Sequence, residues 1–327
     1  GPLLFIAVIM YITNEKDLDD ILFVIFMASL ICNLLGVIEF FLQSPLFSNL
    51  LITKNEFTEA AISVKVRNDT YRLRSVFYNP LVYAQFLISF LFVSLFFYKN
   101  GKGILSKVAL INFFVSVFLM YQTGSRAGLF IIMLVPLLYF SCKILFSLNF
   151  YIRVLLCVFI FVGISFYGLS SIGYISANMS TVQNLDYLYV QGYLDEESLS
   201  SLTRILQLQI GFASLSLSPI WGYGVGNIQI AMEPLKVIDN YYLSILIEEG
   251  YLGFFLFLLF HISFFSVALK MIRIYGDFFL VVLTSSLLLT FVYYSILSIP
   301  SANLLTYVFM ALILKKCDFL KTLVCKL

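Results

Sequence analysis

The sequence predicts an all-helical, polytopic integral membrane protein with a large extracytoplasmic loop. Of its 327 residues, 61% are hydrophobic and only 12% are charged, which is about half the charged fraction of an ordinary globular domain. Apolar runs of bilayer-spanning length, about 20 residues, recur along the chain. This composition excludes a cytosolic enzyme, a secreted disulfide-rich domain and a DNA-binding protein. Membrane lipids are therefore expected around the chain, and no nucleic-acid partner is expected.

The apolar runs divide the chain into predicted spans and connecting loops. The run Leu3–Thr13 is too short to cross a bilayer, whereas eight later runs are candidate spans, the last of them short. We predict that residues 1–327 form one transmembrane domain. Gly1-Pro2 is typical of a protease-cleavage scar, so further spans are expected upstream. The predicted spans are 21–42, 81–98, 108–123, 127–146, 154–172, 250–269, 278–298 and 303–314.

The placement of basic residues predicts the orientation of these spans. One set of short loops holds 12 of the 20 Lys and Arg residues, so the positive-inside rule assigns that side to the cytoplasm. Residues 43–80 then form a first extracytoplasmic loop, and residues 173–249 form a large extracytoplasmic loop with short helices. The cytoplasmic set is 14–20, 99–107, 143–153, 270–277 and 315–327.

Arginine departs from this bias, because five of the seven Arg residues fall on the outer side while 10 of the 13 Lys residues fall inside. Any cation anchors topology, but only Arg offers a planar fork that binds phosphate through two hydrogen bonds. An anionic ligand at the outer face is one interpretation. Interfacial anchors and surface ion pairs are the alternative. The five outer residues are Arg67, Arg72, Arg74, Arg126 and Arg204.

Two of these arginine-bearing segments flank predicted helix starts. In the sequence TGSRAG (123–128), Ser125 is a suitable N-cap and places Arg126 in the first helical turn, where free N–H groups favour an anion. In the segment 72–86, Pro80 opens the next span. Arg72 and Arg74 stand two residues apart, so an extended backbone would turn both toward one ligand. Each segment could instead be an interfacial Arg anchor.

Asn79 precedes Pro80 and is the expected cap of that span. In the large loop, residues 195–219 have the apolar spacing of an amphipathic helix that carries Arg204 and Gln207 on its polar side. The following sequence WGYGVGN (221–227) is glycine-rich, so its backbone N–H groups could approach an anion. No Lys-Ser/Thr follows, and it is not a P-loop.

Acidic residues cluster where the large loop returns to the membrane. Asp239 is a candidate helix cap, and Gly250 predicts a kink just after Glu248 and Glu249. Two carboxylates directly before a long apolar helix suggest a polar cavity. No metal-ligand pattern accompanies them, so no metal ion is expected. Glu39 is predicted to lie near the outer end of its span, within reach of the interface.

His261 is the only other ionisable residue placed well within a span. Such residues are functional candidates by default, but we expect this histidine to be neutral and hydrogen-bonded to a neighbouring helix.

Together these elements resemble the superfamily of bacterial O-antigen polymerases (Wzy) and O-antigen ligases (WaaL). Each motif is loose, but their order and their common placement at the outer face make the set more specific. They cover about residues 72 to 253. The matching elements are R-x6-NP (Arg72 to Pro80), T-G-S-R-A (123–127), an Arg-bearing helix followed by P-x2-G-x-G (Arg204; Pro219, Gly222, Gly224) and N-x-Y-L-x4-E-x-G-x2-G (Asn240, Tyr242, Leu243, Glu248, Gly250, Gly253).

The resemblance implies a glycosyltransferase C-like helical bundle in the bacterial cytoplasmic (inner) membrane, with its active site on the extracytoplasmic side. It implies an undecaprenyl-diphosphate-linked oligosaccharide as substrate, glycosyl transfer without metal, nucleotide or other cofactor, and a separate chain-length-determining co-polymerase as partner. The implied diphosphate ligands are Arg72, Arg126 and Arg204, with Arg74 as a helper. Asn240 and Tyr242 are further implied substrate contacts, and Asp239 or Glu248 is the implied base.

One departure from the family pattern favours a polymerase over a ligase. Ligases commonly carry His immediately before the Asn that matches Asn240, whereas this chain has Asp239 there. A polymerase would join two lipid-linked repeat units, and a ligase would transfer the same donor to a lipid A core. A transporter of a similar lipid-linked anion is a third hypothesis, although the sequence shows neither repeat symmetry nor a charged pathway through the bilayer.

Overall fold

The computed structural model describes residues 2–46, 66–67, 70–77, 79–125, 128, 196–233, 238, 240–294 and 303–324. Two short antiparallel strands, β1 (Val66–Arg67) and β2 (Thr70–Tyr71), form a hairpin that was not predicted. All other elements in these ranges are helices, as predicted. They are α1 (Pro2–Tyr11), α2 (Glu15–Leu42), α3 (Pro80–Asn100), α4 (Ile104–Gln122), α5 (Glu196–Leu215), α6 (Ile228–Ala231), α7 (Tyr241–Tyr275), α8 (Phe278–Tyr293) and α9 (Asn303–Val324).

Four of the helices, α2, α3, α4 and α7, are long and apolar enough to cross a membrane. Each overlaps a predicted span, so the prediction of a membrane protein is confirmed at this level. Helix α8 is apolar but has only 16 residues, and α9 continues past the predicted end at residue 314. The predicted spans 127–146 and 154–172 lie outside the described residues, apart from Gly128.

Local sequence signals set several helix boundaries. Asn14 and Asp17 form a reciprocal capping box at the start of α2. Asn79 caps α3 by accepting a hydrogen bond from the N–H of Leu81 at 2.8 Å, and Pro80 occupies the first helical position. Both features of the α3 start were predicted. The structure confirms them, so α3 begins shortly after the arginine-bearing segment 72–74.

The chain divides into two compact units, Gly1–Val135 with His261–Leu327, and Pro136–Phe260. In the first unit, α3 is the most buried candidate span and contacts α2, α4 and α8. In the second unit, a small apolar core joins α6, the following residues and the first part of α7. That core consists of Ala231, Met232, Ile238, Leu243 and Ile247.

A buried polar network joins three helices of the first unit. Asn33 Nδ2 in α2 donates to Asn112 Oδ1 at 2.8 Å and to Ser116 Oγ at 2.7 Å in α4. Asn112 Nδ2 donates to Ser29 Oγ in α2 at 2.8 Å and to Ser94 Oγ in α3 at 2.9 Å. Because apolar helix faces have little preference for one another in lipid, such hydrogen bonds fix which faces of α2, α3 and α4 meet.

Candidate functional site

The arginine of the R-x6-NP motif lies against the turn of the T-G-S-R-A motif. Arg72 Nε donates to the carbonyl oxygen of Thr123 at 2.9 Å, and the N–H of Leu73 donates to the carbonyl of Gln122 at 3.2 Å. Gly124 has a φ of 63°, and a Cβ there would lie 3.2 Å from Arg72 Nε. Two segments about fifty residues apart in sequence are thus held together, and the Arg72 guanidinium is oriented by a backbone carbonyl.

Ser125 links this turn to two apolar helices, α8 and α3. Its Oγ accepts from the N–H of Gly128 at 3.1 Å, which confirms the predicted cap, and lies 3.0 Å from the hydroxyl of Tyr293 in α8. The Tyr293 hydroxyl donates to the carbonyl of Leu81 in α3 at 3.1 Å. Arg126, the predicted diphosphate ligand that follows this cap, lies outside the described residues.

A buried carboxylate lies behind the same arginine-bearing segment. Glu39, near the end of α2, is 0% exposed. It accepts hydrogen bonds from the Tyr71 hydroxyl and from the backbone N–H groups of Arg74 and Ser75. The sequence indicated its position near the helix end, but its hydrogen bonds to three residues of the outer segment were not predicted. Glu39 therefore anchors the backbone that carries Arg72 and Arg74.

Tyr71 and Arg74 complete this anchor. Burial and the hydrogen bond to Glu39 both raise the pKa of the Tyr71 phenol, so it remains a proton donor to the carboxylate. The Arg74 side chain is 3% exposed and interacts electrostatically with both Tyr71 and Glu39. Arg72 and Arg74 thus have different surroundings, and a ligand shared by both stays a prediction.

In the second unit, α5 confirms the predicted amphipathic helix. Arg204 is exposed on it, whereas Gln207, expected on the same polar side, is buried. Gly211 allows α5 to approach the first part of α7, because a Cβ there would lie 2.9 Å from Ile247 Cδ1. A role for Arg204 in binding a diphosphate stays a prediction.

Helix α7 is sharply bent at Gly250, as the sequence predicted. Gly250 has φ 68° and ψ −171°, outside the helical region. The rings of Tyr242 and Phe257 are in contact with centroids 6.2 Å apart. In a straight helix these residues would be about 22 Å apart along the axis, so the two arms of α7 fold toward each other.

The loop between α5 and α6, residues 216–227, packs into this bend and is called the Trp221 loop below. The N–H groups of Tyr223 and Gly224 donate to the carbonyls of Ile247 and Glu248 at 2.9 and 2.8 Å. The N–H of Gly226 donates to Glu248 Oε1 at 2.9 Å. The glycine-rich segment does present an N–H group to an anion, and the anion in this structure is the protein's own Glu248.

Substitution of Gly222 is expected to destabilise the second unit far more than substitution of Gly226. Both have positive φ, so alanine adds strain of about 1 to 2 kcal/mol at either position. A Cβ at Gly222 would also lie 2.5 Å from the Glu248 carbonyl oxygen, whereas nothing lies within 4 Å at Gly226. This overlap is expected to cost about 1 to 3 kcal/mol more.

Thermal unfolding of Gly222→Ala and Gly226→Ala in the same detergent measures this difference. Equal shifts in the two variants would contradict the packing described for the Trp221 loop.

Two predicted substrate contacts lie at the start of α7. Asn240 Oδ1 accepts from the N–H of Leu243 at 3.1 Å, so its side chain caps the helix. Tyr242 follows and packs on Phe257. Asp239, the predicted base, lies outside the described residues. Asn240 therefore caps the helix for which the sequence indicated Asp239 as the candidate cap.

The predicted site residues are thus distributed between the two units. Arg72 and Arg74 belong to the first unit, while Arg204, Asn240, Tyr242 and Glu248 belong to the second. His261, in the first unit, packs against Phe291 of α8 with ring centroids 4.4 Å apart. It contacts a neighbouring helix as expected, through its ring; the expected hydrogen bond stays a prediction.

The anchoring role of Glu39 was not predicted, because a single acidic residue near a helix end forms no motif. One signal in the sequence could have indicated this role. Glu39 is the one charged residue in the long apolar run 21–42.

No group of three or more His, Cys, Asp or Glu side chains in the described ranges is placed to hold a metal ion. Comparison of the chain with protein-family models and with curated proteins finds no match.

Proposed function

We propose that this chain is a polysaccharide repeat-unit polymerase, for O-antigen or capsule, which joins undecaprenyl-diphosphate-linked oligosaccharides at the outer face of the bacterial cytoplasmic membrane. The supporting observation is the contact between Arg72 and the Thr123 turn. The two arginine-bearing motifs at predicted helix starts meet there, beside candidate membrane-spanning helices. A lipid diphosphate at the membrane surface would meet a pre-oriented guanidinium at this place.

The proposed role of arginine follows from the charge that develops during transfer. An acceptor sugar hydroxyl attacks the anomeric carbon of the donor, and a new C–O bond forms as the bond to the diphosphate oxygen breaks. The bonding pair leaves with the diphosphate, whose negative charge increases. An arginine fork held in position before the reaction stabilises that charge without reorganisation. Arg72, Arg126 and Arg204 are the proposed ligands, with Arg74 as a helper.

The acceptor hydroxyl must lose a proton in this step, and a carboxylate is the proposed base. Glu248 is a reasonable candidate because the Gly226 N–H holds one of its oxygens in place beside the bend in α7. Asp239 is the other candidate. Asn240 and Tyr242 adjoin Asp239 in the sequence and are proposed to contact the sugar.

Deletion of the gene in its native bacterium tests this function against its alternatives. Loss of a polymerase is expected to leave surface glycans one repeat unit long. Loss of a ligase would instead leave long polymer on the carrier lipid, unattached to a lipid A core. Loss of a transporter would leave single repeat units on the cytoplasmic side. Either of the last two results would contradict the proposal.

A further inference from the structure

The Trp221 loop and its flanking residues carry no charged side chain of their own. Residues 205–232 contain no Asp, Glu, Lys or Arg, although an ordinary globular sequence carries about one charged residue in four. Several of the apolar residues are nevertheless exposed. Leu217 is 80%, Trp221 73% and Val225 78% exposed, and Ile220 is also exposed. An exposed apolar cluster of this kind is typical of a contact surface rather than of a loop in water.

Backbone hydrogen bonds hold this loop at the beginning of the apolar arm of α7. The N–H of Tyr251 donates to the carbonyl of Pro219 at 2.8 Å, and the N–H of Leu252 donates to the carbonyl of Ile220 at 3.3 Å. Both donors belong to the first turn after the Gly250 bend. The loop therefore stays at the level of that first turn.

The first turn of this arm is where the edge of a bilayer is expected. The apolar sequence that starts at Gly250 runs without a charged residue to Lys270, and that length of helix covers about 30 Å, the thickness of the hydrocarbon core. Phe255 and Leu259 on this arm are exposed, as expected for residues that face lipid. The exposed cluster of the Trp221 loop is thus continuous with a helix surface suited to lipid.

We propose that the Trp221 loop inserts into the membrane, with Leu217, Ile220, Trp221 and Val225 in the lipid interface beside the start of the apolar arm of α7. Phospholipid is the partner. Tryptophan suits this depth, because its ring is apolar while its indole N–H can bond to headgroups or water. The inference concerns a contact surface and does not depend on the proposed enzymatic activity.

Trp221 is the only tryptophan in the 327-residue sequence, so its fluorescence reports this loop directly. The full chain is reconstituted in vesicles of phosphatidylcholine and phosphatidylglycerol. The phosphatidylcholine is brominated either near the glycerol backbone or near the acyl-chain ends. Shallow bromines are expected to remove about half of the emission, and deep bromines clearly less, because the ring lies at the interface.

Two variants on a Trp221→Phe background calibrate the measurement. Phe255→Trp places the probe on the apolar arm and is expected to be quenched by brominated lipid. Glu233→Trp places it at an exposed charged position and is expected to respond mainly to acrylamide in the water. Lipid-insensitive Trp221 emission, with Phe255→Trp quenched, would overturn the proposal. Protection of Trp221 from acrylamide as well would then indicate a protein contact instead.

Discussion

Replacement of Arg72 by alanine is expected to lower the rate of repeat-unit transfer by about 100-fold or more, the effect of removing one pre-oriented donor from a developing negative charge. The Nε bond to the Thr123 carbonyl orients the guanidinium before the reaction, so under the proposal little side-chain freedom is lost when the diphosphate binds. Arg72→Lys keeps the charge but loses the fork, and an intermediate rate is expected.

Three controls separate this catalytic effect from misfolding. Arg273→Ala removes an arginine from the last turn of α7, on the predicted cytoplasmic side, and is expected to keep the full rate. Thermal unfolding should show Arg72→Ala less stable than Arg273→Ala by only about 1 kcal/mol, the cost of the lost hydrogen bond to Thr123, which leaves the chain folded. Added guanidinium salt should partly restore Arg72→Ala, because it supplies the missing group. Equal rates for Arg72→Ala and Arg273→Ala would contradict a diphosphate role for Arg72.

Replacement of Glu39 by alanine is expected to destabilise the first unit by about 3 to 5 kcal/mol, the cost of removing one partner from a buried charged cluster. The variant leaves the Tyr71 hydroxyl and the N–H of Ser75 without their acceptor, and leaves the buried Arg74 beside a cavity instead of a carboxylate. Glu39→Gln retains one acceptor oxygen and should lose about half as much stability.

Thermal unfolding in detergent measures both Glu39 variants. Asp20→Asn is the matched control, since Asp20 belongs to the same helix but is exposed, and a change within about 0.5 kcal/mol is expected there. If Glu39→Ala unfolds at the same temperature as Asp20→Asn, Glu39 does not anchor the arginine-bearing segment.

Features that depend on neighbouring residues were predictable from the sequence. Asn79 and Pro80 set the start of α3, Ser125 is a cap, and Gly250 breaks α7, because the physical cause of each lies within one helical turn. Apolar length likewise located the candidate spans. Hydropathy marks bilayer-length segments rather than helix ends, so α9 continues beyond the apolar run into a Lys-containing turn.

Contacts between distant segments were not predictable. Nothing near Glu39 in the sequence indicates that Tyr71 donates to it, and nothing near Asn33 indicates Asn112, because each pair depends on how separate helices pack. The hydrogen bonds from Arg72 to Thr123 and from Gly226 to Glu248 also join distant segments and were not predictable. The residue types of the candidate site were therefore predictable from the sequence, whereas their contacts depend on the fold.

An assay with purified protein tests the central claim most directly. The protein is mixed with an undecaprenyl-diphosphate-linked repeat unit from its native bacterium, in the presence of a chelator and without nucleotide. The proposed polymerase should produce a ladder of glycans that differ by one repeat unit. A ligase would leave the donor intact in this mixture and would consume it only after a lipid A core is added. Intact donor in both cases, with the protein still folded by circular dichroism, would contradict a glycosyltransferase function altogether.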